Sequence, residues 1–478
     1  MNLLNILILV LVCLLIGASG RGRWRVPLLM LASILAIYWM QPSTPIRHLD
    51  FWFPTATLGL SILVWIATRP PPTPSLRENL PSMLLVAGTV IAICLLRYLG
   101  PVCCLTPSRP PELLQVVLAL LLIGAVALVS ARVISGKTAL LNLFVLLIVG
   151  VFVVLKTEFL AQLTSSGLRN LTGQSTAVAS ALDLRWLGFS YVAFRLIHAL
   201  RDRIAGRLPD YSFSEFLIFI IFFPSFTAGP IDRLQRFAQD LRKPFQLDAT
   251  ILLHAGQRIL FGIFNKFVLA DTLAIIALND TNATQTSSIG WLWVLLYAYA
   301  FRIYFDFAGY TDIAIGMGKL LGIHLPENFD RPYRKPNLTQ FWNSWHITLA
   351  QWFRGYYFNP LTRSLRSSPR QIPMPLIIFF GQTTTMLLLG LWHGITWNFV
   401  IWGLWHGIGL FIHNRWSEML RHRLVDIEEK PRLKKALEFS GVILTFHYVV
   451  LGWVWFALSQ PALSWQVILH LFGLAGGS

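Results

Sequence analysis

Apolar residues gather in long runs along this chain, and polar residues gather between them. The first run, 3–18, carries no charge and is followed by Arg21, Arg23 and Arg25. A cleaved secretion signal places its basic residues before the apolar core. The reversed order predicts a retained first helix with its N-terminus outside and its arginines in the cytoplasm. Further runs at 26–40, 51–68, 83–99, 113–133 and 139–155 predict helices, several of them shorter than the roughly 20 residues of a perpendicular membrane span. The proline-rich stretch 70–74 cannot be helical and predicts a loop. Alternate loops collect basic residues: Arg69 and Arg77, then Arg132 and Lys137, then Arg201, Arg203 and Arg207. That bias marks the cytoplasmic side. Arg97 and Arg109 run against it.

From about residue 182 the pattern changes. The run 184–203 holds Arg185, Arg195 and His198. The run 213–223 stops at Pro224, too short to span. It predicts a bent or re-entrant element, which a bilayer tolerates only where protein or water satisfies the freed backbone groups. Lys266 interrupts 251–278, and Arg302, Asp306 and Asp312 lie inside 291–315. The stretch 341–358 is too polar for lipid and too apolar for water. Spans at 373–391 and 395–412, a charged cytoplasmic loop at 414–435, a span at 436–458 and an interfacial helix at 462–471 complete the chain. The reading is an all-α polytopic membrane protein with about eleven to thirteen membrane-associated helices. It divides into N-terminal helices (1–155), a core (182–412), and a basic loop with C-terminal helices (413–478). Ionisable residues at membrane depth concentrate in the core, where they mark a pathway or a site.

Composition supports this class. Only 13% of residues are charged, against about 25% in soluble domains. The net charge of +17 is scattered over short loops, which fits orientation and anionic headgroups and argues against nucleic acid as a partner. Cys13, Cys94, Cys103 and Cys104 offer no metal or disulfide framework.

Candidate chemistry lies between Pro332 and Gly407. His346 sits in Gln340-Phe-Trp-Asn-Ser-Trp-His-Ile-Thr-Leu-Ala-Gln-Trp-Phe-Arg354, and His393 in Gly390-Leu-Trp-His-Gly-Ile-Thr-Trp-Asn398. An imidazole costs free energy to bury without a partner. Trp342, Trp345, Leu349, Trp352 and Phe353 recur at three- and four-residue spacing, which predicts one helix over 341–354 with His346 in its apolar face. A plain aromatic belt with a polar tip would give the same pattern. The tripeptide Trp392-His-Gly394 recurs at Trp405-His-Gly407. In an unbroken helix that offset turns about 220°. One of His393 and His406 can then share a site with His346, and periodicity does not choose between them. A histidine is suited to take a proton from an attacking hydroxyl near neutral pH. There is no G-x-S-x-G and no Ser-His-Asp signature, so transfer would run directly from a thioester to a hydroxyl. Asp306, Arg354, Lys266 and Arg302 would line a polar tunnel or pair between helices.

These residues resemble a known family. Phe341 to Arg354, together with Gly390-Leu-Trp-His-Gly394, is similar to the signature of the membrane-bound O-acyltransferases (MBOAT). Phe213-Ser-Glu-Phe216, Phe223-Pro-Ser-Phe-Thr-Ala-Gly-Pro-Ile-Asp-Arg233, Lys266-Phe-Val-Leu-Ala270, Tyr304 to Tyr310 and Asn328-Phe-Asp-Arg-Pro332 fit its bacterial branch. That branch holds D-alanyl teichoic acid transferases of the DltB type and alginate O-acetyltransferases of the AlgI type. The resemblance covers about half the chain and implies a ring of helices around a central funnel or tunnel. It implies His393 as the catalytic residue and His346 as its partner, with Trp345, Trp392, Asp306 and Arg354 along the tunnel and His406 outside the catalytic position. It implies no bound cofactor or metal. The donor would be a cytoplasmic acyl thioester, either carrier-protein phosphopantetheine or acyl-CoA, carrying D-alanyl or acetyl. The acceptor would be a hydroxyl of an extracytoplasmic envelope polymer, reached with an extracytoplasmic partner protein, at the bacterial inner membrane. Arg354-Gly-Tyr-Tyr-Phe-Asn-Pro360 lacks the Asp that often follows this Arg in relatives. The competing class is a transporter or flippase for an envelope precursor, which would show inverted repeats. No repeat is visible here.

Overall fold

The computed structural model describes residues 2–19, 22–69, 76–100, 104–133, 137–420 and 430–474. Arg21, the proline run 70–74, Cys103 and residues 421–429 of the charged loop lie outside the described residues. The chain divides into two compact units, Met1–Leu260 with Asp312–Pro326, and Phe261–Thr311 with Glu327–Ser478. All named elements among the described residues are helical. Six helical stretches are long and apolar enough to cross a membrane: Leu49–Ala67, Glu78–Tyr98, Leu113–Arg132, Thr138–Lys156, Met374–His393 and Pro431–Ala457. The protein is an all-α, multi-pass membrane protein.

The first unit contains α1 (Leu3–Ser19), α2 (Arg25–Trp39), α3 (Leu49–Ala67), α4 (Leu76–Leu95), α5 (Leu113–Val133) and α6 (Thr138–Lys156). It continues through α7 (Glu158–Leu171), α8 (Phe189–Ile204), α9 (Phe213–Ile221) and α10 (Leu234–Arg242). The short α9 is where the sequence predicted a re-entrant element. It begins at a Ser212–Glu215 capping box and stops before a 3-10 turn, Phe223–Ser225. Its freed carbonyls do not meet lipid. Buried Arg195 on α8 donates to the carbonyls of Phe219, Ile220 and Ser225 at 3.1, 2.7 and 2.9 Å. A guanidinium is suited to this because its planar fork reaches several acceptors at once.

α11 (Ala249–Ile263) runs into a π-helical turn, Phe264–Ala270, around Lys266, and then α12 (Asp271–Ala274). After α13 (Asp280–Gln285) comes α14 (Ile289–Leu320). In the second unit Lys266 pairs with Asp306, and in the first Arg258 pairs with Asp312 at 2.6 Å. These pairs answer the cost of charges inside apolar helices.

One expectation fails. The stretch 341–354 is not one helix. α15 (Leu338–Trp342) ends, residues 343–346 are irregular, and α16 (Ile347–Phe353) starts again. His346 is the residue before α16, with φ 43° and ψ 54°, in the left-handed region. The cause is long-range. Residues 328–330 pair with 344–347: Asp330 N–H donates to the Ser344 carbonyl and Ile347 N–H to the Asn328 carbonyl, with an antiparallel bridge between Phe329 and Trp345. A π-turn, Arg354–Phe358, then leads to α17 (Asn359–Arg366).

α18 (Met374–His393) and α19 (Trp397–Met419) form a tight hairpin. A Cβ on Gly390 would stand 2.2 Å from the Phe399 carbonyl oxygen, and one on Gly403 2.7 Å from Leu387 Cα. Small residues let the two backbones approach this closely. α20 (Pro431–Ala457) packs on α19, and α21 (Pro461–Leu471) on α20. Cys13 and Cys94 are buried free thiols, as their apolar surroundings suggested. Cys104 is disulfide-bonded, which the sequence reading did not anticipate.

Candidate active site

The break at 343–346 and the end of α18 bring His346 and His393 onto one indole, Trp392. Ring centroids are 6.2 Å apart for His346 and Trp392, and 4.5 Å for Trp392 and His393.

His346 is 4% exposed and is held on one side. Its Nδ1 lies 3.0 Å from Asn328 Oδ1. That same oxygen accepts from Thr348 N–H at 3.2 Å and from Thr348 Oγ1–H at 2.9 Å. A backbone N–H can only donate, so the Asn328 atom facing it is the carbonyl oxygen. Nδ1 therefore carries the proton, and Nε2 keeps a lone pair. Nε2 is buried and has no hydrogen-bond partner. Phe307 stands edge-on to the ring at 4.7 Å. His346 lies outside any spanning helix. Burial first, and the neighbouring His393 second, push it below the ordinary imidazole value. It is a neutral base with one free nitrogen.

His393 is the last residue of α18 and is partly exposed. Its ring meets Phe456 at 4.7 Å, and Phe399 and Trp402 at 5.8 Å each. As the last residue of α18, His393 sits at the negative end of that helix's dipole. Gly394 lets the Phe399 ring close over this end, since a Cβ would stand 2.8 Å from that ring.

His406 makes no ring contact with Trp392 among the described residues, although it shares Trp402 with His393. It is completely buried, with both nitrogens unpartnered, boxed by Trp342 at 5.0 Å and Trp402 at 4.9 Å. A Cβ on Gly452 of α20 would stand 2.5 Å from its Nε2. No ring contact joins it to His346 or His393 among the described residues.

The other expected tunnel residues separate. Trp345 is a packing centre among Tyr304, Phe329, Tyr333, Phe341 and Trp453. Asp306 is taken up by Lys266. Arg354 is exposed, donates to Asn343, and lines a cavity of about 230 Å³ with Trp342, Gln382, Met386 and Leu389. Trp342 Nε1 and Gln382 Oε1 are buried without hydrogen-bond partners. Sequence reasoning missed Asn328, Phe307 and Phe456 as site neighbours. Only the polar block Asn328-Phe-Asp-Arg-Pro332 carried a signal for the first.

Fold and site together define a polytopic membrane protein with two imidazoles grouped around one indole among aromatic rings. The family model described as MBOAT, membrane-bound O-acyltransferase family, matches residues 135–450. The chain belongs to the membrane-bound O-acyltransferase family. It is 34% identical over 295 residues to a teichoic acid D-alanyltransferase of Streptococcus thermophilus, covering 57% of this chain and 68% of that one. It is 33% identical over 288 residues to the "Probable alginate O-acetylase AlgI" of Pseudomonas aeruginosa, covering 60% and 51%. It is 33% identical over 297 residues to a peptidoglycan O-acetyltransferase of Helicobacter pylori, covering 58% and 52%. The chain spans about half the length of the last two relatives.

Proposed function

We propose that this protein is an O-acyltransferase of the bacterial inner membrane, moving a D-alanyl or acetyl group from a cytoplasmic thioester to a hydroxyl of an envelope polymer or of a partner protein. The observation that carries the reading is the pair His346 and His393 at the one indole of Trp392. In the proposed step the acceptor hydroxyl attacks the thioester carbonyl. A C–O bond forms, the C–S bond breaks, His393 takes the hydroxyl proton, and that proton passes to the leaving thiolate. The transient imidazolium stands at the negative end of the α18 dipole. His346, fixed by Asn328, offers Nε2 beside it to orient the acceptor. The cavity beside Arg354 suits a thioester arm of the phosphopantetheine type, because its lining sets the polar Asn343 and Arg354 beside the apolar Phe353, Met386 and Leu389.

The test is ester-linked acyl content of the envelope in a strain lacking the gene and complemented with wild type or with His393→Ala. The wild type restores the esters and the variant does not, at equal membrane abundance. Esters restored by the variant would exclude the role given to His393. Ester content that never depends on the gene would leave the transporter class.

A further inference from the structure

Arg97 and Arg109 ran against the basic-loop pattern, and acyl transfer does not use them. Both belong to the end of the first unit where α2, α4 and α6 finish and α3, α5 and α8 begin. Hydrogen bonds join the connections there into one platform. Gln41 Nε2 donates to the Arg185 carbonyl at 2.6 Å, and Arg47 N–H donates to Gln174 Oε1 at 2.8 Å. Buried Asp50 accepts from Ser108 N–H at 2.7 Å and from Ser108 Oγ–H at 2.6 Å. His48 Nδ1 lies 2.8 Å from the Arg109 carbonyl.

A cavity of about 900 Å³ opens in this platform. Arg47, Arg97 and Arg109 bring positive charge to its lining, and Glu112 is the acid among its described lining residues. Glu112 lies 3.7 Å from Arg97 and offsets that charge. Asp50 contributes no free acid, because Ser108 occupies both its oxygens. Arg47 and Arg109 are exposed and stand as the surplus.

The rest of the lining includes the apolar Trp52, Leu168 and Leu171. Leu168 and Leu171 belong to α7, which buries Ala161, Ser165 and Arg169 and leaves Phe159, Leu163 and Leu171 open, at 71%, 61% and 83% exposure. A helix with one polar, packed face and large apolar residues on the other lies in the plane of a bilayer interface. The arginines beside it then stand at headgroup depth, where a guanidinium fork meets phosphate oxygens.

We propose that this cavity is a binding site for an anionic glycerophospholipid, with the headgroup phosphate on Arg47 and Arg109 and the acyl chains along Trp52 and α7. The apolar lining selects a lipid over a free anion. The site accounts for basic residues on loops that should be poor in them. It is separate from the histidine pair, and its test does not depend on acyl transfer.

The full chain, purified in mild detergent, is offered phosphatidylglycerol and phosphatidylcholine, and retained lipid is counted by native mass spectrometry. Wild type retains phosphatidylglycerol preferentially. The double variant Arg47→Gln, Arg109→Gln retains about thirtyfold less of it, as the loss of two basic contacts at an anionic surface predicts. Arg47→Lys, Arg109→Lys keeps part of the preference. An unchanged thermal transition shows that the exposed substitutions leave the fold intact. Equal retention of the two lipids by wild type, or undiminished retention by the Gln variant, overturns the proposal. Displacement of the lipid by inorganic phosphate at equal concentration makes it a soluble-anion site and overturns it as well.

Discussion

His346 gains its character from a residue eighteen positions earlier in the chain. Asn328 fixes the imidazole by accepting from Nδ1–H, and it can do so because Thr348 orients the amide. Replacing Asn328 with Asp tests this directly. A carboxylate beside Nδ1–H favours the imidazolium, so the His346 value rises from its depressed position. His346 must be neutral for its Nε2 to accept a hydrogen bond from the acceptor and so orient it. The acid limb of the pH–rate profile therefore moves to higher pH in Asn328→Asp, while Asn328→Ala lowers the rate without that displacement. An unmoved acid limb in Asn328→Asp would disconnect the two residues. His406 gives the opposite expectation. A buried imidazole with no partner for either nitrogen adds little that an apolar group would not. His406→Leu is expected to keep transfer within a few-fold of wild type. His406→Ala, which leaves a void beside Trp342 and Trp402, costs about 2–4 kcal/mol of stability in a thermal or denaturant melt. The sequence made His393 and His406 look alike, since each stands in Trp-His-Gly. Their difference lies in neighbours from α20 and from the turn 394–396, which no local pattern encodes.

Two interruptions of helix differ in their legibility. The end of α9 was readable because Pro224 is a local signal. Its satisfier was not, since Arg195 read as an odd charge in an apolar run. Arg195→Lys keeps the charge but loses the fork that reaches Phe219, Ile220 and Ser225. It leaves buried carbonyls unpaired at about 1–3 kcal/mol each. The expected result is a lower melting temperature and a smaller yield of monodisperse protein, and an unchanged melt would contradict the capping role. The break at 343–346 was not legible. Trp342, Trp345 and Leu349 keep helical spacing straight across it, while the pairing that causes it comes from 328–330. On α18 and α19, Gly403→Val would drive a side chain into Leu387. It should lower stability and transfer together, because the hairpin positions His393.

For the whole molecule, the apolar runs located the long helices in advance, as a bilayer demands, and missed the shorter, more polar α7, α10, α13 and α17. What they could not give was the assignment of polar residues inside the core. Lys266 with Asp306 and Arg258 with Asp312 turned out to be ion pairs, Trp345 a packing centre, and His346 with His393 a pair around Trp392. Each of these depends on contacts between elements distant in sequence. The family match over 135–450 covers the histidine pair and leaves most of the arginine-lined cavity of the first unit outside it. That separation agrees with one region for chemistry and another for lipid.

The most direct test of the account is the rate of labelled acyl transfer by the purified full chain in liposomes. Acetyl-CoA and a D-alanyl carrier-protein thioester are offered in turn, with wild type, His393→Ala and His406→Leu compared. His393→Ala should fall by about 10²–10⁴-fold with either donor that supports turnover, the range expected for loss of a general base. His406→Leu should stay near wild type. Wild-type rates in His393→Ala, or equal losses in the two variants, would contradict the assignment of the proton-accepting role to His393.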